Sequence, residues 1–500
     1  LCNNASQPPS RSRAPRGNAE RSAFDAERLN EHSTRSVERG ENEGNFEEPI
    51  MKRASLLLGT FFALILGIQL QVNAAPAGGT AVYLPIIITD QTTPPPEPMV
   101  ELRGVWVTRF DWTSYGQAGD PAKIDEIVQN VADAGFNAIF FQVRGIADAY
   151  YTPGLEPWAD RVSGVYGQAP DPLWDPLATM IEKAQAAGIQ VHAYMNVYPV
   201  WNGGSFCDTP PDASVTPTPL YHLLLNEHGS TDGKPNGLLW NSSGEIFCGA
   251  YMRGTPASTL LQDHLIAVGQ DLVTRYDIDG LHLDHIRYGS GNTSCDPVSE
   301  GVYGAACFSD GGYGEWQRGQ INELVRRFYK EVVPLKPGLW LSAAVWPIHE
   351  TNPAWGFPGS PQQGNINYYQ DSKAWVADGI IDSISPMIYP GSSYNGCDAD
   401  GNYLEDPTVT SSDYWIRERW QTVVEDFQAD SNGRFIIPGI GTGYCSFAEI
   451  EARIEMARAA GTAGHALFSY SGLLTNAYFD DLANGPYVET AVPPSISWHP

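Results

Sequence analysis

The sequence predicts an α/β fold, a (β/α)8 TIM barrel with long loops after its strands. Two patterns lead to this prediction. From Leu102 onward, short apolar segments rich in β-branched residues alternate with amphipathic, alanine-rich segments, which is typical of a parallel sheet covered by helices. Eight such units fit before residue 485, and eight units close into a barrel. An open doubly wound sheet is the alternative, but no GxGxxG motif follows the first strand.

The pattern places each element within a few residues. Strands are predicted at 103–108, 137–143, 190–196, 280–284, 339–345, 381–388, 434–440 and 464–470. The helices that follow them are predicted at 121–134, 175–187, 256–275, 315–333, 367–377, 412–428, 446–460 and 476–483. The loops that follow strands are long and those that follow helices are short, so the functional face is expected at the C-terminal ends of the strands.

The first hundred residues are not expected to belong to the barrel. Residues 1–50 have few large apolar side chains and are expected to be a non-native upstream leader. Residues 51–74 resemble a signal peptide, with a basic start at Lys52 and Arg53, an apolar stretch, and a cleavage site near Ala74. Residues 75–100 form a proline-rich linker, 101–485 the barrel, and 486–500 a C-terminal tail. We therefore expect a secreted protein of the bacterial cell envelope, with no stable membrane span after cleavage.

The formal net charge of −28 limits the choice of partner. Residues 1–74 carry equal numbers of basic and acidic side chains, so the whole excess of acidic residues lies in the remainder of the chain. Such an acidic surface argues against nucleic acid or anionic lipid. It suits a neutral or a cationic substrate, and a polysaccharide is the partner that we expect.

Apart from Cys2, the cysteines number six, which in an exported chain predicts three disulfides. Connectivity does not follow from sequence alone. The positions favour Cys207 with Cys248 and Cys295 with Cys307, each within one loop, which leaves Cys397 with Cys445. No CxxC motif is present, which disfavours zinc-ribbon and thiol-redox proteins.

The stretch 279–288 (DGLHLDHIRY) is the strongest candidate for a catalytic segment. Its apolar residues alternate with His282 and Asp284, as in a strand, and Asp284, His285 and Arg287 cluster where that strand ends. A carboxylate at this end of a barrel strand is where such folds place their chemistry. The alternative is that Asp284 and Arg287 only form a structural ion pair.

Other polar residues are expected to converge on the same face. Glycoside hydrolysis uses two carboxyl groups, about 5–5.5 Å apart in retaining enzymes and farther apart in inverting ones. The candidate catalytic residues are therefore Asp284 with Glu350 or Asp371, and Asp148 is a third possible partner. Predicted substrate-binding residues are Gln142, Arg144, Asp148, His192, Tyr194, Asn196, Arg287 and Tyr389.

Several of these residues have a structural alternative. His192 could be a buried histidine, and Gln142 and Asn196 could be polar layers inside the barrel. Asp371 could cap a helix, and Asp148 could be an ordinary loop carboxylate. No metal ligand set and no cofactor motif is predicted, and a Gly-x-Ser-x-Gly elbow is missing.

The motifs, taken together, resemble the glycosyl hydrolase-like 10 family. They are 102–108 (LRGVWVT), 137–144 (NAIFFQVR), 148–150 (DAY), 156–158 (EPW), 175–177 (DPL), 191–194 (VHAY), 279–288, 369–371 (YQD) and 381–386 (IDSISP). The resemblance implies a TIM-barrel glycoside hydrolase of the bacterial envelope, of a family in which some members are thought to cleave peptidoglycan strands stripped of peptides. It also implies that Asp284 is the leading catalytic carboxylate and that Arg103 lines the cleft with the residues named above.

Two departures from the family pattern stand out. The segment 198–255 is long and contains Cys207 and Cys248, which suggests altered specificity. The strand ends in Asp-His where many relatives have Asp-Asp or Asp-Tyr, so a second acid beside Asp284 is in doubt. The alternative functions are a catalytically silent glycan-binding barrel and a metal-dependent amidohydrolase or deacetylase.

Overall fold

The structure is a computed structural model that describes residues 98–499 apart from 292, 358, 390–415 and 445. The predicted leader, the signal peptide, nearly all of the linker and the pairing of Cys397 with Cys445 lie outside the described residues. Within the described residues, no helix is both long and apolar enough to cross a membrane.

Eight parallel strands form a closed barrel, which confirms the predicted fold class. The strands are β1 (Leu102–Val107), β2 (Ala138–Arg144), β3 (Gln190–Asn196), β4 (Gly280–Asp284), β5 (Trp340–Val345), β6 (Ser383–Ile388), β7 (Phe435–Ile436 and Gly439–Gly441) and β8 (Gly464–Phe468). Each strand pairs with the next one along the chain, and β8 pairs with β1 to close the barrel. Pro438 lies between the two segments of β7. Because proline has no backbone N–H to donate, it cannot continue the hydrogen bonding of the strand.

Helices follow the strands on the outside of the barrel. They are α1 (Pro121–Asp133), α2 (Pro176–Ala186), α3 (Thr259–Arg275), α4 (Tyr313–Arg327), α5 (Ser372–Ala377), α6 (Arg417–Ala429), α7 (Phe447–Ala459) and α8 (Tyr470–Asn476). The side chains of Asp120 and Asp175 accept hydrogen bonds from the first turns of α1 and α2, each with proline at its start. Gly135 and Gly188 follow the two helices in the left-handed conformation, as is common at helix C-termini.

Smaller elements decorate the barrel. Paired short strands are Met99–Val100 with Ala491–Val492, Pro199–Asn202 with Tyr251–Arg253, and Ser230–Thr231 with Lys234–Pro235. Short helices are Asp160–Ser163, Leu220–His228, Pro297–Tyr303, Gly364–Asn367 and Phe479–Asn484, with 3-10 turns at Gly204–Phe206, Val333–Leu335 and Pro353–Trp355 and a π-turn at Phe328–Val332. The C-terminal tail therefore adds a strand beside the start of the barrel domain.

Side chains alternate between two cores because successive strand residues point to opposite faces. The outer core lies between strands and helices and includes Val105, Ile139 and Leu281. The inner core fills the barrel and consists of Leu102, Trp106, Ala138, Phe140, Tyr194, Trp340, Ile437 and Ala466. Polar residues in register with the inner core, toward the C-terminal ends of the strands, therefore lie at the mouth of the barrel.

Two predicted helices are wrong in detail. The helix predicted at 367–377 is two helices, because Tyr369 between them has a left-handed backbone (φ 52°) and Asp371 caps the second one. The helix predicted at 476–483 is also interrupted, since Ala477 is left-handed (φ 56°) and ends α8. A single residue with positive φ breaks the helical hydrogen-bond pattern without changing the apolar periodicity.

Candidate active site

Asp284 ends β4 and lies at the mouth of the barrel, 8% exposed. Three groups donate hydrogen bonds to its carboxylate. The hydroxyl of Tyr194 bonds Oδ2 at 3.0 Å, and Nη1 of Arg287 bonds Oδ1 at 3.1 Å. The backbone N–H of His285 also bonds Oδ1, at 2.5 Å. The carboxylate is therefore fixed in one orientation by groups from two neighbouring strand ends.

These contacts keep Asp284 ionised. Burial raises the pKa of its carboxyl group, but three effects outweigh burial: the imidazole of His285 whenever that ring is protonated, the charge of Arg287, and the backbone N–H of His285. They hold the pKa of Asp284 well below its usual range. At neutral and mildly acidic pH this group is a carboxylate, suited to act as a nucleophile, a base or a stabiliser of positive charge.

Arg287 is shared between Asp284 and an aromatic wall. Its guanidinium lies 5.8 Å from the ring centroid of Trp346, which follows β5. The side chain of Gln370 fixes this wall, since its Oε1 accepts the backbone N–H of Trp346 at 2.6 Å and its Nε2 donates to the carbonyl of Ile286 at 3.2 Å. The motif 369–371 therefore contributes Gln370 to the site as a residue that holds the wall in place.

A second arginine, which sequence reasoning missed, faces the site from β1. Nη1 of Arg109 donates to Oε1 of Gln142 at 3.1 Å, and its Nη2 donates to the hydroxyl of Tyr251 at 2.8 Å. The ring of Tyr251 packs edge-on against the ring of His285, with centroids 5.3 Å apart. The only sequence signal for Arg109 is its place directly after the first strand; Tyr251 had none, because it comes from the segment 198–255.

Asn196 lies beside Asp284, since the two residues are in register on β3 and β4. Its Nδ2 donates to the carbonyl of Gly145 at 3.1 Å, and its Oδ1 is buried without a hydrogen-bond partner among the described residues. The amide nitrogen of Gln142 is likewise buried and unpaired in the described structure. These two predicted binding residues thus place unused polar atoms near Asp284.

The floor of the site is a hydrogen-bonded layer below Asp284. The indole N–H of Trp106 donates to Nε2 of His282 at 3.1 Å, and the other ring nitrogen of His282 contacts Oγ of Ser342 at 2.8 Å. Burial lowers the pKa of His282 to about 4. The ring is therefore neutral, with its proton on Nδ1. This layer separates the mouth of the barrel from its interior.

The prediction that His192 lines the cleft is wrong. His192 is fully buried in the lower barrel, opposite Gly280, and its ring packs against Phe140 and Trp340. Burial lowers the pKa of its imidazole to about 3. It is two residues below Tyr194 on the same face, so a layer of side chains stands between it and any substrate.

The prediction for Arg103 is also wrong. Its side chain is fully buried at the N-terminal end of β1, away from the mouth. Its guanidinium binds the carboxylate of Glu101 at 2.8 Å and the carbonyl of Glu489 at 2.8 Å. Its family motif spans a whole strand, and only one end of a strand reaches the functional face.

Arg144 is a structural brace and does not line a cleft as predicted. Its Nε and Nη2 donate to the carboxylate of Glu156 at 2.8–3.0 Å, and its Nη1 donates to the carbonyls of Asn196 and Val197. Its guanidinium is therefore engaged by protein groups. Arg144 instead ties the ends of β2 and β3 together and so supports Asn196.

None of the three proposed partner carboxylates hydrogen-bonds with Asp284 in the described structure. Glu350 is exposed and accepts a hydrogen bond from Asn365. Asp371 caps α5 and lies 3.6 Å from His349, as its structural alternative predicted. The catalytic assignments of Glu350 and Asp371 stay predictions.

Asp148 is neither solvated nor open to a substrate. Its Oδ1 accepts the backbone N–H groups of Gly145 and Ile146 at 3.0 and 2.8 Å, and the residue is 1% exposed. Burial raises its pKa to about 6, although these two bonds and the charge of Arg109 act in the opposite direction. It shapes the turn after β2, and the substrate contact predicted for it is not supported.

Tyr389 follows β6 at the mouth of the barrel, as predicted. Its ring stacks on Phe468 at the end of β8, with centroids 4.9 Å apart and planes 11° apart. With Trp346 after β5, the mouth has aromatic surfaces on two sides of the barrel. Flat aromatic and apolar walls with a few oriented polar groups are characteristic of small-molecule and sugar pockets.

The cysteine predictions are confirmed in one case and wrong in another. Cys207 and Cys248 form a disulfide. Cys295 and Cys307 are free, half-buried thiols, and Sγ of Cys307 contacts the carbonyl of Ser294 at 3.3 Å. The two thiols of the second pair lie next to each other and are not joined. Among the described residues, no group of three or more His, Cys, Asp or Glu side chains is arranged to hold a metal ion.

The fold and the site place the chain among α/β barrels with a polar site at the C-terminal ends of the strands. The family model of glycosyl hydrolase-like 10 matches residues 101–401, and the chain belongs to that family.

Two curated relatives are similar over the barrel. Glycosyl hydrolase YngK from Bacillus subtilis (strain 168) is 26% identical over 341 residues, which is 64% of this chain and 58% of YngK. Glycosyl hydrolase DigH from Escherichia coli (strain K12) is 28% identical over 336 residues, which is 63% of this chain and 69% of DigH. The chain thus spans less than two thirds of YngK.

Among solved structures, the PgaB (BpsB) glycoside hydrolase domain from Bordetella bronchiseptica has a TM-score of 0.48 at 12% identity, with 76% of this chain and 98% of that chain covered.

Proposed function

We propose that this protein is a glycoside hydrolase that cleaves a polysaccharide with Asp284 as its essential carboxylate. The proposal is carried by one observation: Asp284 is held ionised at the mouth of the barrel by Tyr194, Arg287 and the N–H of His285. A carboxylate in this state stabilises an oxocarbenium-like transition state or attacks the anomeric carbon of the sugar as a nucleophile. Membership of a glycosyl hydrolase-like family supports the same reaction.

The surroundings of Asp284 suit a sugar. Trp346 and the stacked pair of Tyr389 and Phe468 offer aromatic surfaces, on which sugar rings pack by their apolar faces. The unpaired amide atoms of Gln142 and Asn196 offer one donor and one acceptor to hydroxyl groups. Buried polar atoms without a partner are rare, and substrate or water is expected to occupy them.

The substrate that we propose is the glycan strand of the bacterial cell wall, reached by a secreted enzyme. The apolar stretch after Lys52 and Arg53 supports export. The motifs shared with the glycosyl hydrolase-like 10 family support a cell-wall glycan.

The test is a screen of purified protein against glycans, including peptidoglycan strands freed of peptides, with mass analysis of the products. The Asp284→Asn variant should lower kcat by about 10²- to 10⁴-fold. The matched control is Asp279→Asn, at the opposite end of the same strand segment, where the side chain accepts the N–H of Val191. Asp279→Asn should leave kcat unchanged. Full activity in Asp284→Asn would overturn the assignment.

A catalytically silent glycan-binding barrel is the second candidate. It is favoured by the hydrogen bonds of Glu350, Asp371 and Asp148, which engage these carboxylates away from Asp284 in the described part of the chain. Calorimetric titration with the same strands separates the two functions. Binding without any released product in wild-type protein favours the silent barrel.

A further inference from the structure

The segment 198–255, here called the insertion, reaches the candidate site. It leaves the end of β3 and returns to α3, and its two ends pair as an antiparallel hairpin of Pro199–Asn202 with Tyr251–Arg253. The disulfide between Cys207 and Cys248 joins the two arms just beyond this hairpin. The hairpin is therefore held closed by a covalent bond close to the residues that face the site.

The insertion also packs against the loop that follows β4. The ring of Phe247 occupies the space beside Gly289, where a Cβ atom would lie 2.2 Å from it. The carbonyl of Trp240 accepts the backbone N–H of Cys295 at 3.1 Å. Any side chain at position 289 would collide with the ring, so the two loops fit closely around the end of the strand that carries Asp284.

From this hairpin, Arg253 contacts His285, the residue after Asp284. Nη2 of Arg253 lies 2.8 Å from Nδ1 of His285, and Tyr251 covers the ring of His285 edge-on. A guanidinium has only donors. Nδ1 of His285 must therefore be the acceptor, and the neutral ring carries its proton on Nε2.

The backbone of His285 depends on the same contact. Its φ of 50° lies in the left-handed region, which residues with a Cβ adopt rarely. In this conformation its N–H turns back to Oδ1 of Asp284 at 2.5 Å. Arg253 and Tyr251 contact the imidazole ring of His285, and the backbone N–H of the same residue bonds to Asp284. Contacts from the insertion are therefore linked through His285 to the orientation of Asp284.

We propose that Arg253 is a positioning residue: it holds His285 as a neutral Nε2–H tautomer whose backbone N–H orients Asp284, and the disulfide between Cys207 and Cys248 holds Arg253 in place. The proposal rests on the proposed function only in the role that it gives Asp284. It makes the insertion part of the reaction site in this chain.

Among the described residues, charged and titratable groups reach this pair from four elements. Arg253 and Tyr251 face His285 from the insertion, and Arg109 stands behind Tyr251 after β1. Around Asp284 itself are Arg287 and His282 on or after β4 and Tyr194 on β3. Losing Arg253 removes the contact that keeps Nδ1 of His285 unprotonated.

The test is ¹⁵N NMR of the imidazole nitrogens in histidine-labelled full-length protein, with the His285 signals assigned by their absence in His285→Gln. Wild-type His285 should show a single Nε2–H tautomer with no titration between about pH 5 and 8. In Arg253→Met, the ring should show mixed tautomers and titrate near its ordinary pKa of about 6.5. Arg253→Lys, which keeps a donor, should restore most of the wild-type spectrum.

Two further variants keep the result interpretable. Lys234→Met removes a positive charge from the same insertion away from His285, and its spectrum should match wild type. The double variant Cys207→Ser/Cys248→Ser keeps Arg253 and should show partial titration of His285. If Arg253→Met leaves the tautomer and titration of His285 unchanged in folded protein, or if Arg253→Met does not fold and the double variant gives the wild-type spectrum, the proposal is overturned.

The NMR readout needs no turnover, so it separates this proposal from the proposed function. On a glycan that wild-type protein cleaves, Arg253→Met should lower kcat about 10-fold with little change in KM and add an ionisation near pH 6.5 to the rate profile. If the NMR spectra are as expected but no protein, including wild type, cleaves a glycan, only the proposed glycoside hydrolysis is contradicted. If Arg253→Met has the rate profile and the NMR spectrum of wild type, only the proposed role of Arg253 is contradicted.

Discussion

The hydroxyl of Tyr194 donates to Oδ2 of Asp284 from a position one layer lower in the barrel. Asn196, not Tyr194, is in register with Asp284 on the neighbouring strand. The phenol ring spans the intervening distance and ends with its oxygen 3.0 Å from the carboxylate. The apolar part of the ring packs in the inner core, and its hydroxyl group bonds to Asp284 in the site.

Tyr194→Phe should therefore lower kcat/KM about 10-fold, since a hydrogen bond to a charged group contributes roughly 1.5 kcal/mol. The ring still fills the core, so the melting temperature should change little. Steady-state kinetics on the cleaved glycan measure the effect. Tyr198→Phe is the matched control: the hydroxyl of Tyr198 is buried without a hydrogen-bond partner in the described structure, so activity should be retained. Equal activity in both variants would contradict the role of Tyr194.

Arg287→Gln should move the acidic limb of activity to higher pH. The guanidinium helps hold the pKa of Asp284 low, and its loss should raise that pKa by about 1 to 3. A carboxyl whose folded pKa is depressed stabilises the fold above its unfolded pKa of about 3.9 and loses this contribution as pH falls. The variant should therefore also unfold at a higher pH on acidification.

Rate profiles and acid unfolding followed by circular dichroism measure both effects of Arg287→Gln. Arg326→Gln is the control, because Arg326 pairs on the surface with Glu323. An acidic limb that stays in place in Arg287→Gln would show that the ion pair does not govern Asp284.

Glu156→Gln should destabilise the protein by about 3 to 5 kcal/mol, because it leaves the buried charge of Arg144 without its partner. Burial raises the pKa of Glu156, but Arg144 and His264 together lower it to about 2. Its stabilising contribution is thus complete above about pH 4.3 and is lost as pH falls toward 2.

Urea denaturation at neutral pH measures the loss in Glu156→Gln. Glu331→Gln removes a surface partner of Arg327 and should cost less than about 1 kcal/mol. Similar losses in the two variants would rule out a special contribution from the buried pair.

Gly280→Ala should cost about 1 to 3 kcal/mol through overpacking. A Cβ atom at position 280 would lie 2.2 Å from Nδ1 of His192, inside a filled barrel. Gly319→Ala, in the exposed middle of α4, meets nothing within 4 Å and should stabilise the protein by about 1 kcal/mol. Thermal melts of the two variants should shift in opposite directions; shifts of the same sign would show that the barrel relaxes around the new methyl group.

The periodicity of apolar residues was sufficient to predict the regular strands and helices of the fold. The bounds of β3 and β4 agree with the prediction at both ends, since strands with alternating apolar residues and clear turn signals leave little ambiguity. The starts of α1 and α2 likewise lie within one residue of the predicted positions 121 and 175. Pattern failed where one left-handed residue interrupts a helix, as at Tyr369.

Within the site, the sequence pattern identified the carboxylate and several of its neighbours, but not the depth at which each predicted residue lies. Asp284 follows from the end of an apolar strand, and Tyr194 and Asn196 follow from alternation on the strand beside it. The same alternation does not say how deep a residue lies, so His192 and Arg103 were assigned to the cleft although neither reaches the mouth. Depth depends on the stagger between strands, which is a property of the closed barrel.

The sequence by itself determined the barrel, the strand that carries Asp284, and the edge of the sheet at which it lies, because all three follow from periodicity and chain order. Only the tertiary structure decided which distant segments support that carboxylate. Tyr251 and Arg253 reach His285, the residue beside it, from the insertion, and Arg144 is bound by Glu156. Contacts between distant segments depend on three-dimensional packing, for which a single sequence carries no local signal.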